Sequence, residues 1–125
     1  MTSAISGIRQ IAVTVSSVSQ ALGFYRDILG LEFLFAPNED LAFLGTGDIR
    51  IMLSTPQGVG AVGANSILYF AVEDIERTHA DFVAQGAVSE RAPALAAPMP
   101  DHELWIGFLK DPDGNLVGLL EEKRA

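Results

Sequence analysis

The feature that most constrains this chain is a pattern that runs twice. Ile11-Ala12-Val13-Thr14-Val15 superposes on Leu68-Tyr69-Phe70-Ala71-Val72, and each stretch precedes a helical segment and then three further strand-like segments. Alternation of apolar with other residues at period two marks a strand with two distinct faces. An internal repeat outranks any single motif, because it dictates the architecture. A strand–helix–strand–strand–strand half makes a four-stranded sheet with a helix on one face and nothing on the other. Two such halves can curl their free faces into a cup. The expected class is therefore α+β: two βαβββ modules forming a cup-shaped, curved mixed sheet with helices outside. The alternative is a chance recurrence within an ordinary α+β domain.

In the first half, Ile11, Val13 and Val15 alternate with Gln10, Ala12 and Thr14, and Ser16 or Ser17 offers an N-cap. Apolar positions then take helical spacing at Val18, Ala21, Leu22, Tyr25, Ile28 and Leu29, which predicts a helix over 17–29 stopped by Gly30. Residues 31–35 read as a strand broken by Pro37-Asn38, and 41–44 and 49–53 as strands joined across Gly45-Thr46-Gly47-Asp48. A glycine-rich, aperiodic stretch at 55–65 reads as a linker. In the second half Asp74 is expected to cap a helix that runs to 85 and stops at Gly86. A strand at 87–91, a Pro/Ala-rich loop at 93–100, a strand at 104–109, a turn at 111–115 and a last strand at 116–120 follow. The chain thus reads as one domain over 1–125, with module 1 at about 7–54, the linker at 55–65 and module 2 at about 66–122.

Composition removes several function classes. The net charge is −8 with only 8 Lys+Arg, so no basic face exists to neutralise phosphates, and neither nucleic acid nor an anionic membrane is an expected partner. With no cysteine, disulfides, thiolate nucleophiles and Cys-ligated zinc are excluded. Residues 1–7 lack the basic and apolar regions of a secretory signal, and no apolar run reaches the ~20 residues needed to span a bilayer. The expected location is cytoplasmic.

Three motifs stand in order along the chain: IAVTVSSVSQALGFYRDILGLEF from Ile11, LYFAVEDIE from Leu68, and FLKDPDGNLVGLL from Phe108. Together they resemble the vicinal-oxygen-chelate superfamily, the glyoxalase, bleomycin-resistance and extradiol-dioxygenase type. The resemblance implies a pocket for a small organic molecule within the cup, and a homodimer. Metal-dependent members hold a divalent ion with four side chains, one near the start of each half's first strand and one on each half's last strand. Those positions here carry Gln10, Met52, Ile67 and Gly118. Only Gln10 offers a good oxygen ligand; Met52 is a soft thioether, and Ile67 and Gly118 offer nothing. The expectation is no cofactor and no divalent metal at the family position.

Strand parity selects the remaining candidates. Residues alternating with the helix-packing set face the cup: Gln10 and Thr14, Arg50 and Met52, Tyr69, and on the strand entering the last turn Glu103, Trp105 and Gly107. Arg50 can hold an anion by bidentate hydrogen bonds, while Trp105 and Tyr69 supply an aromatic wall. Glu103 or His102 could act as general acid or base, and a relocated metal site using Gln10 and Glu103 is conceivable. His79 reads as a solvated mid-helix residue. Three functions remain: a metal-free binder of a small organic molecule, a glyoxalase-like lyase, isomerase or dioxygenase-related enzyme with a noncanonical site, and a structural or regulatory module whose cup its own side chains fill. The lost metal ligands and the polar residues assigned to the cup favour the first.

Overall fold

Residues 10–14 alternate in burial as they do in sequence: Val13 is buried while Gln10 and Ala12 are exposed. They form strand β1 (Gln10–Thr14) of a computed structural model that describes residues 4–56, 60–63 and 65–124. The chain divides into two compact units, Met1–Ala64 and Asn65–Ala125.

In the first unit, β1 leads through Ser17 into helix α1 (Val18–Leu22), whose Gln20 amide donates to Ser17 Oγ at 3.3 Å. The helix continues as a π-helical segment over Gly23–Ile28 rather than as the α-helix expected from the spacing. The wider turn lets two successive aromatics, Phe24 and Tyr25, both turn inward, edge to face at 4.9 Å. Gly30, at φ 79, then reverses the chain as anticipated. Strands β2 (Glu32–Asn38), β3 (Leu41–Thr46) and β4 (Ile49–Ser54) complete a mixed sheet in the order β1-β4-β3-β2, with β1 parallel to β4. Leu44, Ile51 and Leu53 are buried, joining Val13 and Val15 in one core. Removing a buried leucine of this kind costs about 2–5 kcal/mol.

The second unit repeats this topology. Strand β5 (Leu68–Ala71), helix α2 (Ile75–Ala84), β6 (Val88–Pro98), β7 (Glu103–Lys110) and β8 (Leu116–Lys123) give the order β5-β8-β7-β6, with β5 parallel to β8. Its core holds Ile75, Leu109, Val117 and Leu119, each at most 2% exposed.

The structure corrects the sequence reading at further places. Strand β2 runs through Pro37, and β6 runs through Pro93 to Pro98 where a loop was expected. Both are edge strands with register irregularities, where a missing amide N–H costs no ladder bond. Asp74 occupies the N-cap position of α2 in the left-handed region, at φ 47, yet its side chain makes no capping bond. The Ile75 amide instead donates to Glu121 Oε1 of β8, at 2.9 Å. His79 is buried, its Nε2 2.9 Å from Ser89 Oγ, and burial lowers its pKa.

A last correction concerns β7. Its pairing sets Trp105, Gly107 and Leu109 against Glu121, Leu119 and Val117, on the face that carries α2. Leu104, Ile106 and Phe108 pair with Glu122, Leu120 and Gly118 and belong to the other face. Trp105 and Glu103 therefore do not stand where parity had put them. Both faces of β7 carry large apolar side chains, so alternation held no signal there, and only the register with β8 decides.

Candidate functional site

Each sheet has a face opposite its helix, here called the open face. In the first unit the register aligns Gln10, Ala12 and Thr14 of β1 with Arg50, Met52 and Ser54 of β4. The latter three lie beside Gly45, Phe43 and Leu41 of β3. Parity thus brings together every first-unit candidate: Gln10, Thr14, Arg50 and Met52.

The side chains form a connected group. Arg50 Nε donates to Gln10 Oε1 at 2.8 Å, and Gln10 Nε2 donates weakly to Met52 Sδ at 3.7 Å. The Arg50 guanidinium lies over the Phe43 ring, 5.5 Å from its centroid, and Phe43 stacks on Phe35 at 4.7 Å. Among the described residues no carboxylate pairs with Arg50, and its terminal amino groups have no hydrogen-bond partner. A guanidinium anchored through Nε with its Nη edge free is set for bidentate contact with a carboxylate. A cavity of 360 Å³ adjoins this group, lined by Leu41, Met52 and Ser54 together with Asn38 and Asp40. Phe43 and Phe35 escaped the sequence reading. The β3 register would have found Phe43, whereas irregular pairing in β2 hides Phe35.

In the second unit Tyr69, 45% exposed, pairs with Gly118, and its ring crosses that glycine so closely that a Cβ there would collide with it. Phe108 meets Tyr69 edge on at 5.8 Å, and Arg91 lies over Phe108 at 5.9 Å. The two open faces correspond position by position. Phe43 is opposite Met52 as Phe108 is opposite Gly118, and Ala12 stands to Met52 as Tyr69 stands to Gly118. One face combines a small residue on the first strand with a large one on the last, and the other reverses the pair.

The acid–base candidates are engaged elsewhere. Glu103 Oε1 accepts from the Trp105 indole at 3.1 Å, and Lys123 Nζ lies 4.1 Å from the Trp105 ring centroid while also bonding Glu76 of α2. His102 lies between Asp101, at 2.7 Å, and Glu122, at 3.5 Å, with Arg124 bonded to both carboxylates. The hydrogen bond from His102 lowers the Asp101 pKa.

The four positions that metal-dependent relatives use do not fit a divalent ion. Gln10 Oε1 already accepts from a guanidinium, whose positive charge 2.8 Å away would repel a cation. Met52 is soft, Ile67 has no donor atom, and the Tyr69 ring covers Gly118. Among the described residues no three His, Asp or Glu side chains are grouped to hold an ion elsewhere.

Residues 7–119 match the model of the Glyoxalase/Bleomycin resistance protein/Dioxygenase superfamily, and the chain belongs to that family. Within it, the chain is similar to a probable lactoylglutathione lyase of Vibrio cholerae serotype O1, 31% identical over 124 residues that cover 89% of this chain and 87% of the relative. An integron cassette protein from the mobile metagenome of V. cholerae superposes with a TM-score of 0.78 at 20% identity, covering 97% of this chain and 98% of that one. The antibiotic binding protein TnmS3 of Streptomyces sp. CB03234 gives 0.77 at 21% identity, covering 98% and 100%. At such identities the two structures speak for the fold alone.

Proposed function

We propose that this protein binds a small organic anion, partly aromatic or apolar, on the open face of its first sheet, without a divalent metal at the family position. The observation that carries this reading is Arg50. Its guanidinium is fixed by Gln10 and backed by the Phe43–Phe35 stack, and the residue is exposed with an unpaired Nη edge. A side chain with so much rotamer freedom gains binding strength when it is held in advance. The same Gln10 contact that orients Arg50 removes the best metal ligand, so anion binding and metal binding exclude each other here. The second reading, a lyase, is favoured by the name of the 31%-identical relative, but the donor set it would need is missing.

Calorimetric titration with para-butylbenzoate, alongside elemental analysis of the purified protein, tests the proposal. Binding is expected in metal-free protein, and Arg50→Met should weaken it by about 1.5–3 kcal/mol, the range for a hydrogen bond to a charged group. Stoichiometric Fe, Mn, Ni or Zn with hemithioacetal turnover, or benzoate affinity indifferent to Arg50→Met, would reject it.

A further inference from the structure

Two cavities meet at one end of the first sheet. The 360 Å³ cavity beside Met52 shares Asn38 and Asp40 with a neighbour of 480 Å³, which extends past Glu39 to Ser17 at the start of α1. No residue lining either one is basic. Two groups there lack partners. Ser54 is only 5% exposed; its carbonyl accepts from the Val15 amide, but its hydroxyl has no hydrogen bond among the described residues. The Asp40 carboxylate has no cation beside it among the described residues. Its backbone is nonetheless fixed: the Asp40 amide donates to Asn38 Oδ1 at 2.8 Å, and its carbonyl accepts from the Thr55 amide at 3.1 Å. The corner therefore places the exposed Asp40 carboxylate, on a fixed backbone, and a Ser54 hydroxyl that reaches the cavity beside Met52, with no cation or hydrogen-bond donor on either among the described residues.

We propose that this corner is a second subsite that takes an ammonium group, and that the ligand of this protein is amphoteric. The proposal rests on the reading of Arg50 as an anion anchor and adds the other end of the molecule. Arg50, Met52 and Ser54 alternate on one strand and share one face, so the strand rise separates Arg50 from Ser54 by about 13 Å between Cα atoms. Met52 lies between them as an apolar floor. A ligand that spans this strip carries an anion, an apolar middle and an ammonium, in that order. An ammonium suits the corner because its directional N–H donors match a carboxylate and a hydroxyl oxygen. A metal ion would need several more ligands than the corner supplies, and no such cluster exists among the described residues.

The test compares three probes on the intact chain: para-butylbenzoate, para-(aminobutyl)benzoate and the N-acetylated form of the latter. The amine should bind about tenfold more tightly than the butyl compound, the lower end for a charge-assisted hydrogen bond at a partly exposed site. Acetylation should erase that advantage. In Asp40→Asn, which is isosteric and keeps the backbone bonds, the affinity ratio of amine to butyl compound should fall close to one, and Ser54→Ala should lower it in part. An amine advantage that survives Asp40→Asn, or none in the parent protein, overturns the subsite. If para-butylbenzoate then still binds through Arg50, the reading of the first site stands and only the amphoteric ligand is lost. If no probe binds the parent protein, both fall.

Discussion

His79 illustrates how a single side chain can reverse its expected role. Its place in Glu76-Arg77-Thr78-His79 suggests a solvated residue, yet it is 8% exposed and bonded to Ser89 near the start of strand β6. Burial favours the neutral imidazole, so its folded pKa lies below the value of about 6.5 expected in the unfolded chain. Between those two values the unfolded chain takes up a proton that the folded protein refuses. The stabilisation is complete above about pH 6.5 and is lost as the pH falls toward the folded value. The melting temperature should therefore drop between roughly pH 7 and roughly pH 5 by less in His79→Gln than in the parent protein. Equal drops in thermal melts followed by circular dichroism would assign the acid sensitivity to other groups. The sequence missed this burial because the partner that accommodates the imidazole lies on another element.

Helix α2 shows the same dependence at the level of elements. Its start looks self-capped, with Asp74 ahead of an apolar-periodic run, but Glu121 supplies the cap from β8. Glu121→Ala should cost about 1 kcal/mol in chemical denaturation, while Glu121→Gln, which keeps an acceptor oxygen, should cost much less. Equal losses in the two variants would mean that charge, not the hydrogen bond, matters. Across the elements, the sequence was legible where one face of a strand is apolar and the other is not. The open-face residues of β1, β4 and β5 all stand where alternation put them. It was illegible where both faces are apolar, as in β7, and where prolines sit in edge strands, as in β2 and β6. The first-unit candidates therefore share the face that alternation gave them, whereas Trp105 and Glu103 were assigned to the wrong face. The aromatic support of Arg50 depended on a register that no local pattern encodes.

At the scale of the whole molecule, the edge strands bear on assembly. Phe33, Leu34 and Phe35 of β2 and Val88 and Leu95 of β6 are each more than 40% exposed, an unusual concentration of apolar surface on strands that end their sheets. We expect pairing of two chains, so sedimentation equilibrium at micromolar concentration should give about twice the 13.3 kDa of the single chain. A mass of one chain would contradict this. No helix among the described residues is long and apolar enough to cross a membrane. A different consequence follows from Tyr69 lying across Gly118. A side chain at position 118 collides with the tyrosine unless its ring moves, and shrinking the tyrosine first strips the aromatic contact from Phe108. Either first step toward a carboxylate there therefore disturbs the Tyr69–Phe108 pair. A carboxylate on that face is thus tied to a second change at Tyr69.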